Sequence, residues 1–435
     1  MEYLVNFDVV VIGGGPSGLM ASIAASEQGK KVLLIEKGHK LGRKLVMSGG
    51  GRCNVTNRLP VDEIIKHVPG NGRFLYSAFA MYDNEDIISF FESVGVGLKE
   101  EDHGRMFPTT NKSRDVLEAL AQRMEELDIT IWQDCPVKKI HYKNQTIDYV
   151  ETTRGDKVYT PNVVVSVGGQ AVPKTGSTGD GYVWAKEAGH KITPLFPTEV
   201  PILSDEPFIL DKTLQGISLR EIDLTVLNPK NKVVVTHKMD MIFTHFGISG
   251  PAALRCSSFV IKTKEKYKVD TVTMKLDQFP DLKLKDLEED IMQRVKNDPK
   301  KQVKNALKGL IQERLLLFFI ERLEIDPEEM CVAISPKKWV QLASVLKDFR
   351  FVVKGTYDFD KAFVTGGGVS VKEIIPKEMQ SKKIAGLYFS GEILDIHGYT
   401  GGFNITCALV TGRLAGYHAG TRDISVIDEE SVDNE

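Results

Sequence analysis

The feature that most constrains this chain is the run Asp8-Val-Val-Val-Ile12 leading directly into Gly13-Gly-Gly-Pro-Ser-Gly18. A continuous β-branched run reads as a strand buried on both faces of a parallel sheet. Gly13, Gly15 and Gly18 have the spacing G-x-G-x-x-G, helix-like residues run from Leu19 to Gln28, and Lys31-Val-Leu-Leu-Ile-Glu36 is a second strand ending in a carboxylate. That is a complete βαβ unit. The first glycine permits the tight turn, the second lets backbone approach a pyrophosphate, and the third lets helix and strand pack closely. Gly14, Pro16 and Ser17 complete the loop, and the free N–H groups of the helix start hold phosphate. Glu36, 18 residues beyond Gly18, is placed to accept hydrogen bonds from the ribose hydroxyls of a dinucleotide.

The stretch that follows selects the dinucleotide. An NAD domain needs nothing beyond the fingerprint, whereas here Lys37-Gly-His-Lys-Leu-Gly-Arg-Lys44 and Ser48-Gly-Gly-Gly-Arg-Cys-Asn-Val-Thr-Asn57 continue a phosphate- and ring-lining surface. Arg43, Lys44 and Arg52 carry the charge to neutralise a pyrophosphate, and Lys37 begins the cofactor-lining surface. Gly50 and Gly51 let main chain lie against a flat ring, with Cys53 and Asn54 beside it. FAD is therefore the expected cofactor, a solvated basic loop being the alternative. Cys53 is the single cysteine between Leu45 and Asn57, which excludes a local dithiol relay, and it is expected to pack as a small residue near the flavin.

Bulk properties exclude other classes. The 435 residues suffice for two or three domains, and 42 % hydrophobic with 26 % charged residues is an ordinary globular balance. A net charge of −3 gives no general affinity for nucleic acid, so the expected partner is a small-molecule substrate, although a local basic patch is compatible with that average. No apolar run approaches the ~20 residues of a membrane helix, and the first residues do not read as a secretory signal, so a cytoplasmic location without membrane contact is expected. The five cysteines form no C-x-x-C pair, and Thr178-Gly-Asp-Gly181 reads as a helix-start turn; no metal site is expected.

Along the chain, 84–97 and 113–127 have helical spacing, with Ser113 as an N-cap. Residues 129–132, 137–141, 146–151 and 157–159 read as a β-meander, and 163–167 is a further buried strand closed by Gly168. From 195 to 280 the texture becomes that of half-exposed strands, and 281–344 is charged and helical, with a helix start at Ser335-Pro336. Sheet and glycine return from 362. The expected organisation is thus a discontinuous FAD-binding domain (1–194 and 362–435) interrupted by a β-barrel-like domain (195–280 and 345–361) and a helical lobe (281–344). The acidic end, 423–435, is expected to fray.

Several long motifs carry a resemblance. The fingerprint, GRKLVMSGGGRCNVTN at 42–57, THFGISGPAAL at 244–254, VTGGGVSVKEI at 364–374 and GLYFSGEILDIHGYTGGFNITCALVTGRLAG at 386–416 are similar to the BaiN-like, or aminoacetone-oxidase-like, bacterial flavoproteins (YhiN-like). The resemblance covers nearly the whole chain. It implies an α/β fold: a glutathione-reductase-type FAD-binding Rossmann-like domain with an inserted β-barrel and helical bundle. It also implies that Val137 lies against adenine, that the carboxylate of Gly391-Glu392 binds the ribityl chain, and that Gly401-Gly402-Phe403-Asn404-Ile405 turns a helix start toward the N1 and O2 edge of the flavin. Negative charge on a reduced flavin is stabilised at such a helix start.

For the substrate side, Thr244 and His245 are candidates for a pocket or proton relay, because imidazole transfers protons near neutral pH; an ordinary hydrogen-bonded histidine is the alternative. His397 and Tyr399 are similar candidates. The expected activity is an FAD-dependent oxidoreductase that takes hydride from NADH or NADPH and reduces a small organic substrate. Gly366 to Gly368 do not make a second fingerprint, so the nicotinamide would bind transiently. An oxidase or dehydrogenase of a small amine needs no nicotinamide and is the main alternative; a flavin-bound redox sensor or protein-binding module is the second.

Overall fold

A computed structural model describes residues 5–422; the acidic end expected to fray lies outside the described residues. The chain divides into two compact units, one made of 1–196 and 363–435, the other of 197–362.

In the first unit, strands β1 (Val9–Ile12), β2 (Val32–Ile35), β3 (Thr130–Trp132), β4 (Val163–Val165) and β5 (Leu387–Phe389) form one sheet in the order β5-β4-β1-β2-β3. Every pairing is parallel. All residues of β1, β2, β4 and β5 are buried, which is why they read as unbroken apolar runs rather than alternating ones. The chain leaves β1 for β2 on one side and later builds β4 and β5 on the other. The glycine turn after β1 therefore stands at the point where strand order reverses, the usual place for a ligand crevice.

Helices α1 (Pro16–Ser26), α2 (Ser113–Glu126) and α3 (Phe403–Thr421) cover this sheet. α1 and α3 approach with no room for side chains between them. A Cβ at Gly412 would stand 2.3 Å from the Ser17 carbonyl oxygen, and one at Gly416 would stand 2.0 Å from that of Ala21. Two sequence expectations change here. Residues 129–132 belong to the parallel sheet as β3, because α2 returns the chain in the direction of β2; the meander is a separate sheet of Val137–Lys143, Thr146–Thr152 and Lys157–Tyr159, joined by Val5–Asn6. Ser113 is the first helical residue rather than the N-cap, and its hydroxyl donates to the Val46 carbonyl at 2.8 Å.

The second unit is an antiparallel sheet with helices. Its strands run in the order Phe349–Val353, Val272–Asp277, Ser218–Leu227, Val233–Phe243, Gly247–Ser249, Ile202–Leu203, Gly355–Thr356. The first and last of these are separated in the chain only by Lys354, whose N–H donates to the Leu203 carbonyl at 2.9 Å. The sheet thus closes on itself, which removes its edges. Barrel strands and helices share one core: Phe243, Phe349 and Phe351 from strands pack in the same cluster as Leu287, Phe319 and Trp339 from the helices. The strands and helices of the insert thus share one hydrophobic cluster.

Candidate functional site

The fingerprint glycines are fixed by contact. A Cβ at Gly13 would stand 2.6 Å from the Ser166 carbonyl oxygen, and one at Gly18 only 1.9 Å from that of Gly13. Gly13 also has φ +105°, a conformation that strains any residue with a Cβ. A Cβ on Gly15 meets nothing within 4 Å, so that backbone faces open space where a pyrophosphate would lie. Pro16 begins α1, and the first internal helix bond is Leu19 N–H to the Gly15 carbonyl. The Ser17 hydroxyl turns inward to Ser390 Oγ at 2.8 Å, which is also 2.8 Å from Ser166 Oγ. This buried serine trio ties the ends of β4 and β5 to α1.

Glu36 accepts the N–H groups of Gly14 and Gly38, each at 2.7 Å, so its carboxylate is held at the lip of the glycine turn. The Cys135 N–H donates to the Glu36 carbonyl at 3.1 Å and the Thr153 N–H to that of Pro136 at 2.9 Å. These bonds bring the segment leading into Val137 alongside Glu36. Gly168, with φ +73°, closes the turn after β4.

The basic residues are more committed than their sequence suggests. Lys37 pairs with Asp180 at 2.5 Å and also bonds Thr178, and the Arg43 guanidinium donates to the Lys174 carbonyl at 2.6 Å. Lys44 pairs with Glu392 at 2.7 Å, while the other oxygen of that carboxylate accepts the Thr365 N–H at 2.8 Å. Arg52 lies over the Phe107 ring, 4.1 Å from its centroid, bonded to Asn111 at 3.0 Å and paired with Glu101. Of the cations expected at a pyrophosphate, Lys44 and Arg52 are thus each already paired with a carboxylate. Gly391, at φ +76°, packs against Ser17, since a Cβ there would stand 2.9 Å from Ser17 Cβ. The Lys44–Glu392 pair and the start of α1 therefore share one wall.

The stretch 48–57 has two halves with different tasks. Gly49, Gly50 and Gly51 take φ of +56°, +68° and +87°, and a Cβ on Gly50 or Gly51 would meet nothing within 4 Å. Cys53 is fully buried, and burial pushes its thiol up to about 12, so it stays protonated at neutral pH. The second half holds the start of α3. Thr56 Oγ1 and Thr406 Oγ1 are 2.8 Å apart, and the Asn57 amide donates to the carbonyls of Gly401 at 2.9 Å and His103 at 3.0 Å. A Cβ at Gly402, φ +94°, would stand 2.6 Å from the Thr56 carbonyl oxygen and 2.9 Å from Asn54 Oδ1.

Sequence reasoning missed Thr56, Asn57 and Thr406 as holders of this helix start; Thr406, a polar residue in the otherwise apolar run that follows Asn404, was the available signal. Asn404 secures the same turn from the other side, accepting the Gly398 N–H at 2.8 Å and donating to the carbonyls of Gly398 and Tyr399. Phe403 is buried and stacks on His67 with centroids 4.6 Å apart, while Ile405 is half-buried. His397 is buried and meets Phe196 edge-on.

These residues fit FAD. Asn54 Oδ1 is buried without a hydrogen-bond partner among the described residues, a costly state that a ring N–H would relieve, and it lies beside the helix start that faces it. The open faces of Gly15, Gly50 and Gly51 leave backbone free for pyrophosphate and ring. Thr244 and His245 lie in the second unit. The Thr244 hydroxyl is used within its turn, donating to the Gly247 carbonyl at 3.1 Å, and His245 is exposed with its ring edge against Phe246. No group of three or more metal-ligating side chains occurs among the described residues.

Residues 7–418 match the family model of the HI0933-like protein Rossmann domain. The chain belongs to this family. It is 31 % identical over 401 residues to a ribosomal RNA dihydrouridine synthase of Haemophilus influenzae, covering 92 % of this chain and 95 % of that one. It is 27 % identical over 415 residues to a 3-dehydro-bile acid delta(4,6)-reductase of Clostridium scindens, covering 95 % and 98 %. In fold it is similar to a 3-ketosteroid delta1-dehydrogenase of Sterolibacterium denitrificans, with a TM-score of 0.52, 12 % identity and coverage of 95 % and 99 %. The chain is an FAD-dependent oxidoreductase with a Rossmann-type FAD-binding fold, as the motifs implied. No helix among the described residues is long and apolar enough to cross a membrane.

Proposed function

We propose that this flavoprotein reduces a carbon–carbon double bond conjugated to a carbonyl, that of a uracil base in ribosomal RNA, with NADH or NADPH as hydride source. One observation carries the reading: two nearly full-length relatives named for chemically unlike substrates, an RNA nucleoside and a bile acid, are both named for adding hydrogen to such a bond. The RNA base is preferred because the relative named for it is the more similar of the two. The small-molecule substrate expected from a net charge of −3 gives way here, since an average over 435 residues says nothing of one surface. The expected compartment is the cytoplasm, where reduced nicotinamide and ribosomes coexist.

When bound, FAD would supply two-electron chemistry, taking hydride from a nicotinamide and passing it to an electron-poor carbon–carbon double bond, whose second hydrogen would come from solvent as a proton. The chain positions and biases that chemistry. The start of α3, fixed by Thr56, Asn57 and Asn404, directs N–H groups to where negative charge gathers. Asn54 offers an acceptor, and Glu392, oriented by Lys44 and the Thr365 N–H, presents a carboxylate to ribityl hydroxyls.

The test is an anaerobic titration of the yellow protein with NADH and with NADPH, then addition of unmodified ribosomal RNA. Bleaching of the oxidised-flavin absorbance, followed by recovery as the RNA gains two hydrogens per modified uridine, is the expected course. Reduction by dithionite but by neither nicotinamide would sink the hydride source. Bleaching without recovery on RNA, but with recovery on a free enone, would move the substrate to the small-molecule class.

A further inference from the structure

A cleft of about 650 Å³ opens between the short helix Arg43–Met47 and α2, within the first unit. Its walls are apolar, built by Leu41, Val46, Leu117 and Ala121. Its rim carries Lys40, Arg43, Arg114 and Lys174 against a single carboxylate, Glu118. Among the described residues, Lys40, Arg114 and Lys174 have no ion-pair partner. Nearby cations are handled differently: Arg123, on the same α2, is held by both Glu27 and Glu126, and Lys44 by Glu392. Uncompensated charge is therefore gathered at this rim.

The cleft adjoins the cofactor's cradle, since Leu41 packs on Gly14, where a Cβ would stand 2.5 Å from Leu41 Cδ2, but it has its own lining. None of Gly13 to Gly18, Glu36, Lys37 or Val137 lines it, nor does Asn54 or the start of α3; Arg43 alone belongs to both sets. The Arg43 guanidinium reaches across to the Lys174 carbonyl, which fixes it on the rim. An apolar cleft bordered by several unpaired cations suits a ligand with apolar faces and repeated negative charge. A single nucleic-acid strand has both, with bases that stack on apolar or guanidinium surfaces and phosphates that pair with lysine and arginine. The volume lies within the range of small-ligand sites and accommodates one nucleotide.

We propose that this cleft binds a nucleotide of the RNA substrate other than the one reduced, its base between Leu41 and Leu117 and its flanking phosphates on Lys40, Arg114 and Lys174. The proposal rests on the RNA reading above. It makes the cleft a strand-holding site that registers the RNA while leaving the flavin region to the reacting base.

The test uses the FAD-loaded protein and a fluorescently labelled single-stranded fragment of ribosomal RNA, with anisotropy measured over a range of salt. For the double variant Arg114→Glu/Lys174→Glu the dissociation constant is expected to rise about tenfold or more, and the slope of log K against log salt to fall by about 1.4, two phosphate contacts at roughly 0.7 each. The neutral pair Arg114→Gln/Lys174→Gln should fall between this variant and the parent, and bound FAD and bleaching by nicotinamide should match the parent in both. Unchanged RNA affinity with normal FAD content would overturn the proposal while leaving the RNA substrate standing. Loss of FAD would assign the cleft to the cofactor, and a raised nicotinamide KM with unchanged RNA binding would assign it to the hydride donor. If the parent protein itself binds no RNA even at low salt, the substrate reading fails and takes this site with it.

Discussion

The two glycine-rich turns of the first unit look alike in sequence and differ in what makes glycine necessary. At Gly13 and Gly18 the obstacle is other backbone, 2.6 Å and 1.9 Å from where a Cβ would stand. At Gly50 and Gly51 nothing lies within 4 Å, and only the left-handed conformation opposes a side chain. The first turn is a packing element whose glycines let β1, α1 and β4 meet. The second is a presenting element, with main chain bared to open space. One composition thus serves close packing in one loop and exposed main chain in the other.

The comparison is most exposed to failure at Gly18. Gly18→Ala drives a methyl group into the Gly13 carbonyl and should cost about 3 kcal/mol, yielding protein without FAD and with a much lowered melting temperature. A stable yellow G18A protein would mean the first turn presents rather than packs. Next in size is Asn57→Ala, which removes the donor to the Gly401 carbonyl at the α3 start and to the His103 carbonyl; a loss of about 2 kcal/mol, roughly 1 for each bond, is expected, with a shifted flavin spectrum or potential. Gly50→Ala should cost the apoprotein only about 1 kcal/mol, the penalty of a left-handed alanine, yet weaken FAD binding measured by titration of the apoprotein. If stability and FAD affinity fall together as in G18A, the two turns are alike after all. The smallest effect is at Cys53, where the buried end of the second turn keeps the thiol protonated: iodoacetamide at mildly alkaline pH should label it only after unfolding, and labelling of native protein would show that this end opens.

Much of this was legible in the residues. The fingerprint, the buried strands and Glu36 announced a parallel sheet with a nucleotide turn, because each follows from local rules of strand burial and turn sterics. The strand 129–132 was misassigned because a short apolar run looks the same in a meander and in a parallel sheet; only the partner strand β2 distinguishes them. The insert read as two parts because strand and helix periodicities differ, whereas a shared core depends on which faces meet. Arg52 looked free for a phosphate because its partner Glu101 lies 49 residues away.

By itself, the sequence determined the βαβ unit and the cofactor class, since these rest on glycine sterics, strand burial and motif spacing within short stretches of chain. Only the tertiary structure decided which cations are already paired, that Thr56 and Asn57 hold the helix start 344 or more residues later, and that four cations border an apolar cleft beside α2. Charge compensation and backbone contact act across space, and spacing along a chain does not encode distance in the fold.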